Sequence, residues 1–395
     1  MSQLLNERWS ETKEALLEGL SGNRRASMAV CLENTRRSLA ESATAGATSS
    51  GNVATLNRVI LPVIRRVMPT VIANEIIGVQ PMTGPVGQIH TLRVRYADSA
   101  AGVVAGEEAL SPFKIAQAYS GNGVDATPKA AATSTLEGTP GNRMSIQILK
   151  SPVEAKSRKL SARWTFEAAQ DAQAQQGIDI EAEIMAALAQ EITAEIDQEI
   201  LASLRALATV EQTYDQSLVS GTATFVGDEH AALAIQINRA ANLIAQRTRR
   251  GAGNWAVVSN QALTILQSAT TSAFARTTEG TFEAPTNTKF VGTLNGAMRV
   301  YVDAYLPDSG SQSIQDNQVL IGYKGSSEAD AAAFYCPYIP LMSSGVVLDP
   351  ATFEPVVGFL TRYGYVELSN TASSLGNAAD YLAKVSINSN TVSFQ

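Results

Sequence analysis

The chain has 395 residues, of which 45% are hydrophobic and only 17% are charged, and its formal net charge is −7. The length suggests two or three domains, and the apolar content is sufficient for packed cores, which argues against general disorder. The acidic balance argues against a nucleic-acid reader, which needs a basic face, and the small charged fraction indicates a surface that partners largely cover.

The sequence offers little material for an active site. Cys31 and Cys336 are the only cysteines and lie far apart, so they predict no disulfide framework and fit a reducing compartment. His90 and His230 are the only histidines, which leaves almost nothing for a zinc site or a His-based triad. With no nucleophile–base pair and no phosphate-binding loop in the sequence, we expect neither enzyme activity nor a cofactor.

The amino-terminal part of the chain divides into a helical segment, a linker and an arm. Residues 1–41 carry apolar residues among charges, without a signal sequence, and residues 42–52 are too small and polar to bury a core. Residues 53–77 form a second apolar pattern that Pro62 and Pro69 interrupt. We therefore expect short helical pieces in an arm that needs another surface to lie on.

A strand and a long loop follow the arm. Turn residues precede Gln88 to Tyr96, which alternate as in a strand, and residues 97–152 are rich in Gly, Ala, Ser and Thr. A segment of that length without its own core favours a long protruding hairpin or loop. Val153 to Phe166 then reads as another strand.

A long helix is the strongest pattern in the sequence. From Asp179 to Leu207, isoleucine and leucine recur at every fourth position without Gly or Pro, and Asp179 is placed to be the N-cap. Such a helix would be about 43 Å long. Its apolar stripe winds around the axis, which predicts contacts with different elements along its length.

An acidic ridge runs beside the apolar stripe of this helix. Glu191, Glu195 and Glu199 are spaced by four residues, and like charges at that spacing repel one another weakly. The ridge should therefore face water or meet cations from elsewhere, including another subunit. A di-metal site is disfavoured because such helical sites need Glu-x-x-His and this helix has no histidine.

The second half of the chain alternates between helix and strand. Helical patterns cover Ala231 to Gln246 and Asn260 to Ser268, and the intervening and following strands predict an α/β unit at about 228–344. Strand patterns at Phe353 to Leu368 and Lys384 to Phe394 are expected to return to the sheet that begins at Gln88. No apolar run is long enough to cross a membrane, so a soluble chain made in the cytoplasm is predicted.

Several long, ungapped stretches resemble the major capsid proteins of T-even-like tailed phages. They lie in collinear order and include EIIGVQPMTGPVGQIHTLRVRY (75–96), VEAKSRKLSARWTFEAAQDAQAQQGIDIEAEI (153–184), RTRRGAGNWAVVSNQALTIL (247–266), VLIGYKGSSEADAAAFYCPYIPL (319–341) and FEPVVGFLTRYGYV (353–366). The resemblance implies an α+β fold of the Hong-Kong-97 type, with a long spine helix, a peripheral β-sheet domain, an axial α/β domain, an extended loop and an N-terminal arm.

The resemblance also implies a division of the chain. The helical segment and arm would be 1–75, and the extended loop would be 97–152. The peripheral domain would combine 76–96, 153–227 and 345–395, and the axial domain would be 228–344. The T-even proteins carry an inserted domain in the extended loop, and residues 97–152 are too few to hold it. A separate decoration protein could replace its contacts.

In that family, a prohead protease removes an amino-terminal segment after a Leu/Ile-x-Glu motif. Leu39-Ala40-Glu41 matches the motif where the helical pattern gives way to the linker, so cleavage is predicted between Glu41 and Ser42. The same short motif occurs at Leu16-Leu17-Glu18.

The implied function is self-assembly into hexameric and pentameric capsomers of an icosahedral or prolate phage head that encloses double-stranded DNA. Arg65, Arg66 and the acidic ridge are the predicted intersubunit contacts. Scaffold, prohead protease, vertex, portal and decoration proteins would be the partners, without specific DNA binding or a membrane. The alternative is a cellular nanocompartment shell of the same fold, which would enclose protein cargo.

Overall fold

The computed structural model of the chain divides into two compact units. The first comprises Met1–Gly87, Pro152–Leu201 and Phe334–Val366, and the second comprises Gln88–Ser151, Ala202–Ala333 and Glu367–Gln395. The residues that the structure describes are 9–10, 13–14, 16–17, 20, 22–45, 71–100, 103–107, 109, 119–121, 130–138, 140–176, 180–219, 226–248, 250–269, 274–276, 289–303, 305, 317–326, 330–349, 352, 354–368, 377–388 and 392.

Helices and strands are mixed along the chain. The helices include α1 (Gly22–Ala45), α2 (Ala73–Ile76), α3 (Thr133–Leu136), α4 (Phe166–Gln176), α5 (Ile180–Leu207), α6 (Gln216–Val219), α7 (Val226–Thr248) and α8 (Asn260–Ser268), and a 3₁₀ turn at Ala378–Tyr381. The strands are β1 (Gly78–Val79), β2 (Val86–Tyr96), β3 (Met144–Glu154), β4 (Lys156–Arg163), β5 (Val210–Tyr214), β6 (Trp255–Val258), β7 (Phe274–Arg276), β8 (Lys289–Leu294), β9 (Met298–Val302), β10 (Gln318–Gly322), β11 (Ala333–Ser343), β12 (Val347–Leu348), β13 (Pro355–Glu367) and β14 (Leu382–Ile387).

The predicted long helix is confirmed as α5. Glu181 and Glu183 occupy its first turn, where the helix dipole favours negative charge, and Arg205 occupies the last. Asp179, the predicted N-cap, lies outside the described residues. The buried members of the predicted four-residue repeat are Leu188, Ile192, Ile196, Ile200 and Leu204.

The first unit contains a sheet with the strand order β1-β11-β13-β12, in which β4 also pairs with β13. β1 is parallel to β11, and β4 is antiparallel to β13 from Arg163 opposite Val356 to Lys156 opposite Tyr363. The prediction that the strand at Phe353 to Leu368 joins the sheet begun at Gln88 is therefore wrong. Alternation identifies a strand but not its partner, because backbone groups common to all residues make the inter-strand hydrogen bonds.

The region predicted as one strand at Val153 to Phe166 is divided differently. β3 ends at Glu154, β4 occupies Lys156–Arg163, and Phe166 begins helix α4. β2 and β3 pair as a separate two-stranded sheet, which agrees with the predicted hairpin.

The extended loop has a small core that the sequence did not reveal. Tyr96, Val103, Ala109 and Tyr119 are each 4–6% exposed and form one apolar cluster. The rings of Tyr96 and Tyr119 lie 4.6 Å apart between centroids. The expectation of a coreless segment at 97–152 is therefore wrong, because two tyrosines bury enough area to order short stretches of small residues.

The second unit is built on a seven-stranded sheet with the order β5-β14-β10-β6-β9-β8-β7. Helices α7 and α8 contribute buried apolar residues to the same core as its central strands, as the helix and strand alternation predicted. The carboxy-terminal strand β14 lies between β5 and β10, so the prediction that it joins the peripheral sheet is also wrong. The four-part division stays a prediction apart from these strand placements.

Gly322 offers a direct test of the packing in this sheet. It lies opposite Trp255 across β10 and β6, and a Cβ atom at Gly322 would overlap the buried indole ring. We expect Gly322→Ala to lower the free energy of unfolding by about 1–3 kcal/mol, because a packed ring must move. Denaturant titration followed by tryptophan fluorescence measures this, with Gly141→Ala, which faces open space, as the control. Equal stability of the two variants would contradict the packing.

Candidate assembly surfaces

The acidic ridge of α5 meets a cation from its own unit. Arg158 on β4 donates through one terminal nitrogen to Glu195 Oε2 at 2.6 Å and through the other to Glu199 Oε2 at 2.5 Å. Its Nε donates to the hydroxyl of Tyr363 on β13 at 2.6 Å, and that hydroxyl donates in turn to Glu199. One guanidinium therefore ties β4 and β13 to two turns of α5.

The neighbours of Glu199 in this cluster favour the ionised form of its carboxyl group. Burial by itself would raise the pKa of Glu199, but the hydrogen bonds from Tyr363 and Arg158 outweigh it, and the pKa lies below the ordinary value of a glutamate. Burial and the neighbouring Glu199 raise the pKa of Tyr363, so its hydroxyl keeps its proton and can donate. The single positive charge of Arg158 thus reduces the repulsion expected between Glu195 and Glu199.

Glu191 is the remaining member of the predicted ridge, and it is exposed. The sequence had left open whether the ridge faces water or meets cations, and the structure gives a different answer at different positions. Arg158 lies in a strand that sequence reasoning identified, but β-strand periodicity carries no signal for pairing with a distant helix. An intersubunit role for Glu191, Glu195 and Glu199 stays a prediction.

A second feature is a group of hydrogen bonds at the base of the extended loop, centred on Asp98 and Arg143. Arg143, just before β3, donates from its backbone nitrogen to Asp98 Oδ2 at 2.8 Å and from its guanidinium to Asp98 Oδ1 at 3.1 Å. The Tyr119 hydroxyl donates to the Arg143 carbonyl at 2.5 Å, and the Asn142 amide donates to the Tyr119 carbonyl at 2.7 Å. These bonds, with the tyrosine pair, hold Tyr96, Asp98, Tyr119 and Arg143 together within a single chain.

A row of exposed apolar side chains follows Arg143 on β3. On β3, Met144, Ile146 and Ile148 occupy alternate positions on one face and are 53%, 68% and 61% exposed. In the first unit, Val347 and Leu348 on β12 are also exposed. Contiguous apolar rows of this kind mark surfaces that a partner covers.

The remaining predicted site residues lie in the amino-terminal region. Glu41 and Ser42 lie near the carboxyl end of α1, which continues to Ala45 rather than giving way to a linker at Glu41. Arg65 and Arg66 lie outside the described residues.

Two kinds of feature are absent from the described part of the chain. None of the helices described combines the length and the apolar character of a membrane-spanning segment. Over the same residues, no group of three or more His, Cys, Asp or Glu is arranged to hold a metal ion.

A long helix, two sheet-containing units and an exposed apolar row on a paired strand are features of a structural protein that assembles with other chains. A family model described as "Major capsid protein Gp23" matches residues 53–390. The chain therefore belongs to the Gp23 family of major capsid proteins, which confirms the predicted α+β capsid protein of T-even-like tailed phages.

Two relatives in sequence agree with this family. The chain is 30% identical over 410 residues to the major capsid protein of Enterobacteria phage T4, covering 80% of this chain and 76% of the relative. It is 29% identical over 435 residues to the major capsid protein of Vibrio phage KVP40, covering 86% and 82%. A solved structure titled Mycobacterium phage Bobi covers 88% of this chain and 98% of its own, with 14% identity and a TM-score of 0.44.

The Arg158 cluster predicts how stability depends on pH. Because the folded pKa of Glu199 lies below its unfolded value, its contribution is fully present above the unfolded value of about 4.3 and is lost as the pH falls through the folded value. The carboxylates are nearly half exposed, so we expect Arg158→Met to cost about 0.5–1 kcal/mol at pH 7 and less below pH 4.

Denaturant titrations between pH 3 and pH 7 measure this difference. Glu191→Gln is the matched control, since it removes a ridge charge that lies outside the cluster. A constant difference between Arg158→Met and the unmodified chain at every pH would contradict the proposed coupling.

Proposed function

We propose that this major capsid protein assembles into hexameric and pentameric capsomers of an icosahedral or prolate phage head that encloses double-stranded DNA. The observation that carries the proposal is the apolar row on β3, which the described part of the chain leaves exposed although β3 is paired with β2. Covering that row with another subunit supplies burial that one chain does not achieve.

The bonded base of the loop fits ring formation. A capsomer is a closed ring with heterologous contacts, in which one surface of each subunit meets a different surface of the next. A hairpin whose base is held by the Asp98–Arg143 hydrogen bonds and the Tyr96–Tyr119 contact loses less conformational entropy on docking than an unordered loop would. Such a hairpin suits the extended loop of a Hong-Kong-97-type subunit.

The charge of the chain fits a container for DNA. With a net charge of −7, the protein repels a packed polyanion rather than binding it, so the genome stays free to enter and leave. Because Glu195 and Glu199 have an internal partner, Glu191 is the ridge residue best placed to meet a cation of another subunit, and Arg65 and Arg66 remain candidates for such contacts.

The proposal includes the accessory proteins of head assembly. These are a scaffold, a prohead protease, vertex and portal proteins, and decoration proteins. Cleavage between Glu41 and Ser42 is part of it, and the helical setting of this bond adds a physical requirement. The last turns of α1 must unwind before a protease can bind the bond in extended form.

Assembly tests the role of the apolar row. We expect Ile146→Asp to abolish rings, tubes and shells, because a carboxylate would be desolvated at the interface, while the subunit itself stays folded. Ser145→Asp is the matched control, since it places the same charge at the neighbouring exposed position on the opposite face of β3. Electron microscopy and sedimentation of the expressed protein, alone and with scaffold, measure the result. Normal assembly of Ile146→Asp would contradict the proposal.

The mass of the subunit tests the cleavage. Mass spectrometry of mature particles should show a chain that begins at Ser42, and Glu41→Gln should block the cut because the motif requires the glutamate. An intact amino terminus in mature particles would contradict the predicted site, and a chain that begins after Glu18 would move the cut to the second motif.

A further inference from the structure

Helix α1 is bound to the first unit through one face. Met28, Cys31, Leu32, Asn34 and Thr35 are each at most 3% exposed. Positions 28, 31, 32 and 35 follow the spacing of one helical face, while the residues 24–26 are exposed. The helix therefore has a defined binding site within its own unit.

The polar part of this site lies where the backbone hydrogen bonding between the segment after β1 and strand β11 ends. After β1, Gln80 N donates to the Tyr335 carbonyl and Met82 N donates to the Pro337 carbonyl, both at 3.0 Å. The Asn34 amide then donates to the Met82 carbonyl at 2.6 Å and to the Tyr338 carbonyl at 3.0 Å. One side-chain amide thus satisfies two backbone acceptors at the point where this hydrogen bonding ends.

The geometry of these donors is selective. An amide nitrogen carries two hydrogens and can bridge two carbonyls, whereas a carboxylate of the same size has none and would place its charge against both oxygens. Cys31 adds a contact from its thiol to the Pro337 carbonyl at 3.8 Å. The site therefore recognises an amphipathic helix that carries an amide next to its apolar face.

All these contacts come from residues that precede the proposed cut. The bond between Glu41 and Ser42 follows Asn34 and Thr35 by about two turns, so cutting it breaks the covalent link without removing any of the described contacts.

We infer that the Met82 and Tyr338 carbonyls and the apolar surface around them form a receptor site that holds residues 22–36 as a separate chain after cleavage. The inference rests on the proposed cleavage for its biological setting. Release of the amino-terminal segment is then a second step, distinct from the cut, and it removes the Asn34 donor from the Met82 and Tyr338 carbonyls.

The experiment uses the full chain with residues 46–50 replaced by the recognition sequence of a site-specific protease. The purified, unassembled protein is cut, and native mass spectrometry and size exclusion follow the amino-terminal fragment. We expect the fragment to co-elute with the remainder and the amides of residues 27–35 to keep their protection from hydrogen exchange. Immediate dissociation with loss of protection would overturn the inference.

Exchange with peptides tests the role of Asn34 without altering the protein. A synthetic peptide of residues 20–41 should displace the retained fragment, and the Asn34→Asp peptide should compete about 10- to 100-fold less well, because both carbonyl acceptors lose their donor. The Ala26→Asp peptide, which carries the same new charge on the exposed face, is the matched control. Equal competition by the three peptides would overturn the site.

These measurements are independent of head assembly. A retained fragment in a protein that forms no shells would contradict the proposed function and support the receptor site. Normal shells with a fragment that dissociates at once would support the proposed function and overturn the receptor site.

Discussion

The structure of the first unit depends on the burial of the apolar stripe of α5. Ile192, Ile196 and Ile200 are each 1% exposed, and full burial of such side chains contributes about 1.5–3 kcal/mol apiece. A helix of this length gains little from its own propensity without tertiary packing, so the elements that cover the stripe and the helix stabilise one another. Helix α5, packed in this way, positions strands β4 and β13 through the contacts of Glu195 and Glu199 with Arg158 and Tyr363.

Buried polar groups select which chain segments pack against α5 and which pair within the second unit. Asp197, on α5, is 1% exposed and accepts a hydrogen bond from the Ile72 backbone at 2.9 Å, which fixes the start of α2. In the second unit, Arg205 pairs with the fully buried Asp303 at 2.5 Å. Such groups contribute little net stability when paired, but a structure that leaves one of them unpaired is strongly disfavoured. They therefore select one arrangement among several of similar hydrophobic burial.

The polar and apolar surfaces have separate roles. Two members of the acidic ridge, Glu195 and Glu199, share the Arg158 guanidinium within the subunit, and this pairing stabilises the subunit itself. The described residues leave the apolar row on β3 exposed, and this row begins next to the Asp98–Arg143 ion pair and the small tyrosine core. An apolar row on a paired strand favours assembly with a defined geometry over general aggregation.

The sequence by itself determined the elements whose signal is local. The four-residue repeat of α5, the helix and strand alternation of the second unit and the hairpin were all predictable, because periodicity and turn residues report which face of an element is buried. Collinear motifs also identified the family. Tertiary structure alone decided the partners: β13 beside β4, β14 between β5 and β10, Arg158 on the ridge and Asn34 on two distant carbonyls. These contacts join residues far apart in the chain through backbone groups and single side chains, and no periodic pattern encodes them.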